Sequence, residues 1–143
     1  MRYLDRLQPL ALLVLRLVLG TIMIAHSYWK VLGGAHKVVA MVSSLGLPGW
    51  SAYLSIAAEF GGGILIILGL FSRCAALAVL VDMIVAIAKV HWPHGLLGEG
   101  GYQFPLALAA ISFALIFFGS GAISLDTVRR GGGSGMRSRS AKA

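Results

Sequence analysis

At 143 residues, 58% hydrophobic and 12% charged, with a mean hydropathy of +0.87, the chain is too apolar for a water-soluble domain of its length. A formal net charge of +7 would suit a polyanion, but five of the twelve basic residues (Arg129, Arg130, Arg137, Arg139 and Lys142) surround GGGSG, a flexible composition rather than a folded basic groove, so nucleic acid is not the expected partner. The one cysteine, Cys74, excludes an internal disulfide and a self-contained CxxC dithiol exchange.

The apolar residues gather into four runs. The first follows Pro9 and is predicted as a helix from Leu10 to about Tyr28, about 28 Å at 1.5 Å per residue, which crosses a hydrocarbon core. Asp5 before this run, Arg16 within it and the lack of an A-x-A-like site after it speak against a cleaved signal peptide. The second run follows the turn Gly46-Leu47-Pro48-Gly49, carries the interfacial aromatics Trp50 and Tyr53, and continues to Leu70. A third begins near Arg73, reaches about Val90 and is stopped by His91-Trp92-Pro93-His94 and a glycine-rich loop. The fourth runs from about Phe104 to Phe118, and Gly119-Ser120-Gly121 loosens its end.

These runs predict an all-α membrane protein, a bundle of four transmembrane helices. Four crossings place Arg2, Arg6, Arg73 and the five tail residues on one side, eight basic residues in all, against Lys30, Lys37 and Lys89 on the other. Basic residues are retained on the cytoplasmic face, so both termini are expected there. Residues 1–128 form the expected membrane domain, and residues 129–143 a disordered, basic, Gly/Ser-rich cytoplasmic tail in contact with membrane lipid.

Each run carries a small or polar stripe at helical spacing. The stripes are Arg16, Gly20, Met23, Ser27 and Lys30; then Ser55, Glu59, Gly62, Ile66 and Gly69; then Ala75, Ala78, Asp82, Ala86 and Lys89; and last Gln103, Ala107, Ala110, Ala114 and Phe117. Small residues let helices approach closely in lipid, and a charge near the bilayer centre costs at least about 2.5 kcal/mol, so these stripes are expected to face inward. Arg16, Glu59, Asp82 and Lys89 are the expected buried polar core, with Arg16 paired to Glu59 or Asp82. Such a core fits two readings: a polar lock that fixes helix register, or a site coupled to protons or electrons. His91 and His94 flank a proline with no third ligand in view, and no metal site is expected.

In order along the chain, LRLVLGTIMIAHSYWK, AEFGGGILIILGLFSR, AIAKVHWPHG, GGYQFPLAL and GSGAISLD resemble the DoxX family of small bacterial membrane proteins, from about Leu15 to Asp126. The resemblance implies a four-helix membrane protein linked to respiratory or oxidative-stress redox chemistry, with relatives among thiosulfate:quinone oxidoreductase subunits. Two departures stand out: Ser27 where the family usually has Gly, and Gln103 where Glu is common.

The leading expectation is therefore a redox-associated subunit, an oxidoreductase component that binds a quinone or similar small apolar molecule within the bundle. His26 and Glu59 are the candidate catalytic proton relay, and Lys30, His91 and Gln103 the candidate ligand-binding residues. No haem, flavin or iron–sulfur signature is present in the sequence, so no intrinsic cofactor is expected. Electrons would come from a redox protein partner or the bound substrate, and a homo-oligomer is the other expected association. The alternatives are a non-enzymatic assembly or scaffold subunit, and a small-solute or proton pathway.

Overall fold

The computed structural model describes residues 2–131, and every regular element among them is helical. In chain order these are α1 (Arg2–Asp5), α2 (Gln8–Trp29), a π turn (Lys30–Gly34), α3 (Ala35–Ser44), α4 (Ser51–Ile56), a second π turn (Ala57–Gly61) and α5 (Gly62–Leu68). α6 (Ser72–Ala86), a third π turn (Ile87–His91), a 3-10 turn (Trp92–His94) and α7 (Gln103–Phe118) complete the series. Residues 125–131, which include Arg129 and Arg130, are also helical; the rest of the expected tail, residues 132–143, lies outside the described region.

Three helical stretches, Gln8–Ser44, Ser51–Leu68 and Ser72–His94, are long and apolar enough to cross a membrane, and Gln103–Phe118 is a shorter apolar helix. The first is longer than its sequence suggested. Gly33, at φ 124, kinks the chain without ending it, and α3 follows, packing Val38 and Val42 against Ala52 of α4. Four helices form a ring: α5 packs on α2, α6 on α5 and α7 on α6, and α7 closes it against α2. Leu19, Met23, Ile66, Val79, Met83, Leu108 and Leu115 fill the centre.

In lipid an apolar side chain gains nothing by facing another helix rather than an acyl chain, so close backbone approach has to hold the bundle. It occurs where α2 crosses α5. A Cβ on Gly63 would lie 2.9 Å from the Ile24 side chain and 3.0 Å from the Gly20 carbonyl, whereas one on Gly61 would meet nothing within 4 Å. Gly63→Val is therefore expected to lower the thermal midpoint in detergent well below that of Gly61→Val. Equal midpoints would show that this crossing does not hold the helices together.

The inward faces of α2 and of α4 to α5 are those expected: Arg16, Gly20, Met23, Ser27 and Lys30 are buried, as are Glu59, Gly62, Ile66 and Gly69. The other two are rotated. α6 buries Ala75, Ala76, Val79 and Met83, leaving Ala78 and Lys89 exposed, and α7 buries Leu108, Ala109, Ser112 and Leu115, leaving Gln103, Ala107, Ala110 and Phe117 exposed.

Candidate functional site

Polar side chains concentrate at the two ends of the bundle. At the end where α2 begins and α5 and α7 finish, the Arg16 side chain is 1% exposed and donates to four backbone carbonyls. Its Nε reaches Ile66 O at 2.8 Å and Nη2 reaches Ile67 O at 2.7 Å, while Nη1 reaches Ser120 O at 2.7 Å and Ile123 O at 2.6 Å. The last carbonyls of a helix have no partner within it, and a cation there also complements the helix dipole. Gly69 ends α5 in the left-handed region, with Gly69 N–H donating to Ile66 O and Leu70 N–H to Leu65 O, the Schellman arrangement. A Cβ at position 69 would collide with the Arg16 guanidinium.

The expected pairing of Arg16 with Glu59 or Asp82 is not formed. Side chains lean toward the N-terminus of their own helix, so Arg16 tips toward the start of α2 while Glu59 tips toward Ser51, and the two diverge. Instead, Lys30 Nζ lies 2.8 Å from Glu59 Oε1 and 2.6 Å from Oε2, with the two side chains 9% and 5% exposed. Lys30 sits where α2 meets the kink at Gly33, and Glu59 sits in a π turn that packs against both α2 and α6. A π turn inserts an extra residue and widens the helix locally, a device frequent at functional positions. The half-buried Asp82 of α6 adjoins this pair, with the Ser55 and Glu59 side chains beside its carboxylate. The cluster thus holds two carboxylates against one ammonium.

Of the remaining expected residues, Lys89 is exposed and does not belong to the buried polar core. The π turn Ile87–His91 adds a residue after Asp82 and rotates Lys89 off its face. His26 and Gln103 are exposed, and among the described residues neither hydrogen-bonds to Glu59. His91, half-buried at the same end of the bundle, donates from Nδ1 to Gly100 O at 2.7 Å. Beside it Trp92 stacks on Tyr102 at 5.6 Å. Ser27, the departure noted in α2, is fully buried and donates to Met23 O of its own helix, so its hydroxyl is satisfied in place.

Sequence reasoning missed the role of Asp126, whose carboxylate accepts from Phe71 N–H at 3.2 Å and Ser72 N–H at 3.4 Å, tying the chain after α7 to the start of α6. The signal was available in an acid downstream of a span, facing a helix start that lacks a capping side chain of its own.

The DoxX family pattern matches residues 11–92. Among curated proteins, the chain is 32% identical over 114 residues to the Bacillus subtilis (strain 168) protein named "Putative oxidoreductase CatD", covering 80% of this chain and 83% of that one. It is 33% identical over 134 residues to an uncharacterized Haemophilus influenzae protein, covering 88% of this chain and 96% of that one. No solved structure matches it.

Proposed function

Because this chain belongs to the DoxX family and is a multi-pass membrane protein, we propose that it is a redox-associated subunit whose Lys30–Glu59–Asp82 cluster handles protons for an apolar redox partner such as a quinone. The observation that carries this reading is the charge count of the cluster. Two carboxylates and one ammonium, largely withdrawn from water, are electrically balanced only when one further proton is held among them, so the cluster is suited to take up and release that proton. Reduction of a quinone to a quinol consumes two electrons and two protons. The electrons come from a partner protein or a second substrate, and the cluster is on the proton route. Lys30, with His91 and Gln103 nearer the rim, supplies hydrogen-bonding groups for the ligand's carbonyl oxygens. The name carried by the Bacillus subtilis relative supports redox chemistry in general and specifies neither substrate nor ligand. His26, exposed on α2, enters this scheme only from the lipid side or from a neighbouring subunit.

The test is native mass spectrometry and absorption spectroscopy of the detergent-solubilised protein with added short-chain quinone. Wild type is expected to retain quinone, and Glu59→Gln to lose it while remaining folded at the temperature of the measurement. No binding by wild type would overturn the quinone assignment. A stoichiometric partner protein without ligand would establish the scaffold reading, which the direct engagement of both Glu59 oxygens by Lys30 favours.

The proposed orientation puts both termini in the cytoplasm of a bacterial inner membrane, from the excess of Arg2, Arg6, Arg73, Arg129 and Arg130 at one end. Cys74 is exposed near the start of α6, at that same end. A membrane-impermeant thiol reagent is expected to leave it unmodified in intact cells and to label it after lysis. Efficient labelling without lysis would reverse the orientation.

A further inference from the structure

Between the start of α6 and the chain that follows α7 lies a cleft of about 390 Å³ that the proton cluster does not use. Arg73, Arg129 and Arg130 line it, against a single carboxylate, Asp126. That carboxylate is directed at the Phe71 and Ser72 N–H groups. Three guanidinium groups and one carboxylate leave the cleft with two positive charges in excess.

Two further features mark it as built. Phe71 is the one non-glycine residue with positive φ among those described, at 48°, and a conformation of this kind costs about 1–2 kcal/mol. Asp126 holds its N–H, and the Arg129 guanidinium lies 4.7 Å from its ring centroid. Ser72, on the cleft wall, is fully buried, and its Oγ has no hydrogen-bond partner among the described residues. A buried hydroxyl without a partner is costly, and a rotation of the Ser72 side chain toward the cleft would let a ligand oxygen satisfy it.

We propose that this cleft binds a phosphate group, carried either by the headgroup of an anionic phospholipid or by a free phosphate anion. Arginine forks match phosphate oxygens in geometry and charge, and the hydroxyl of Ser72 adds a neutral donor. In the proposed orientation the cleft opens at the cytoplasmic leaflet, whose surface is anionic.

Cys74 lines the same cleft and is exposed, so it reports occupancy directly. The full-length chain in neutral detergent is reacted with uncharged iodoacetamide, a setting in which orientation plays no part. Phosphatidylglycerol is compared with diacylglycerol of the same chains, and inorganic phosphate with chloride at equal ionic strength. Several-fold slower modification with phosphatidylglycerol alone assigns the site to a lipid headgroup. Slowing by inorganic phosphate as well assigns it to the phosphate itself. The Arg129→Gln/Arg130→Gln variant is expected to lose the protection and Ser72→Ala to weaken it. Equal rates in all four mixtures, or full protection in a folded double variant, would overturn the proposal. Should the double variant fail to fold, the wild-type comparison still decides.

Discussion

Arg16→Met is expected to cost the protein about 3 kcal/mol or more, because it removes four hydrogen bonds made by a charged donor, worth about 1.5–3 kcal/mol each. In the native fold one guanidinium serves Ile66 O, Ile67 O, Ser120 O and Ile123 O, joining α2 to the end of α5 and to the chain after α7. No other side chain has that geometry: five donors in a rigid plane satisfy acceptors on two sides at once. Arg16→Lys should recover only part of the loss, since an ammonium has three donors and no fork. Scanning fluorimetry in detergent, following Trp29, Trp50 and Trp92, measures the midpoints. The order expected is wild type, Arg16→Lys, Arg16→Met. A methionine variant within about 0.5 kcal/mol of wild type, the range of ordinary surface changes, would show that the clamp carries little of the fold.

The Lys30–Glu59 pair should respond asymmetrically. Breaking a buried ion pair from one side costs about 3–5 kcal/mol because the other charge is left uncompensated. Lys30→Met leaves Glu59 and Asp82 together with no cation and should approach that figure. Glu59→Gln leaves Lys30 with Asp82 close by and an amide in place of the lost carboxylate, so it should cost clearly less. The double variant Lys30→Met/Glu59→Leu replaces the pair with apolar groups and is expected to be more stable than the sum of its singles. If the two singles are equally damaging and the double is additive, Asp82 does not share the lysine and the three-residue cluster is wrong. Wild-type growth of a stably folded double variant under oxidative or thiol stress would separately remove the cluster from function and leave it as a lock.

Much of the positioning was legible because residue type leaves little choice in lipid. The first two inward stripes were readable since Arg16, Lys30 and Glu59 cannot face hydrocarbon, and the glycines on the same faces, Gly20 and Gly62, follow them by periodicity. The fourth stripe failed for the complementary reason. Alanines such as Ala107 and Ala110 are no worse off against acyl chains than against a helix, so a small-residue stripe with no charge at its middle does not choose a face. Asp82, the one acid on α6, ends up half-buried at the edge of the packed face rather than at its centre.

The sequence by itself determined that the chain spans a membrane, where the apolar runs lie, which residues of α2 and of α4 to α5 turn inward, and the family to which the chain belongs. These follow from hydropathy, from the cost of charge in lipid and from motif order, all of which are local along the chain. The tertiary structure alone decided which charge meets which. The direction of each helix sets the lean of its side chains, and so Arg16 tips to one end and Glu59 to the other, out of each other's reach. It alone showed the π turns that hold Glu59 and rotate Lys89 away, because a single extra residue in a turn leaves no periodic trace in sequence. The arginine-lined cleft is likewise visible only in three dimensions, since Arg73 and Arg129 are brought together by the return of the chain after α7 and by no spacing along it.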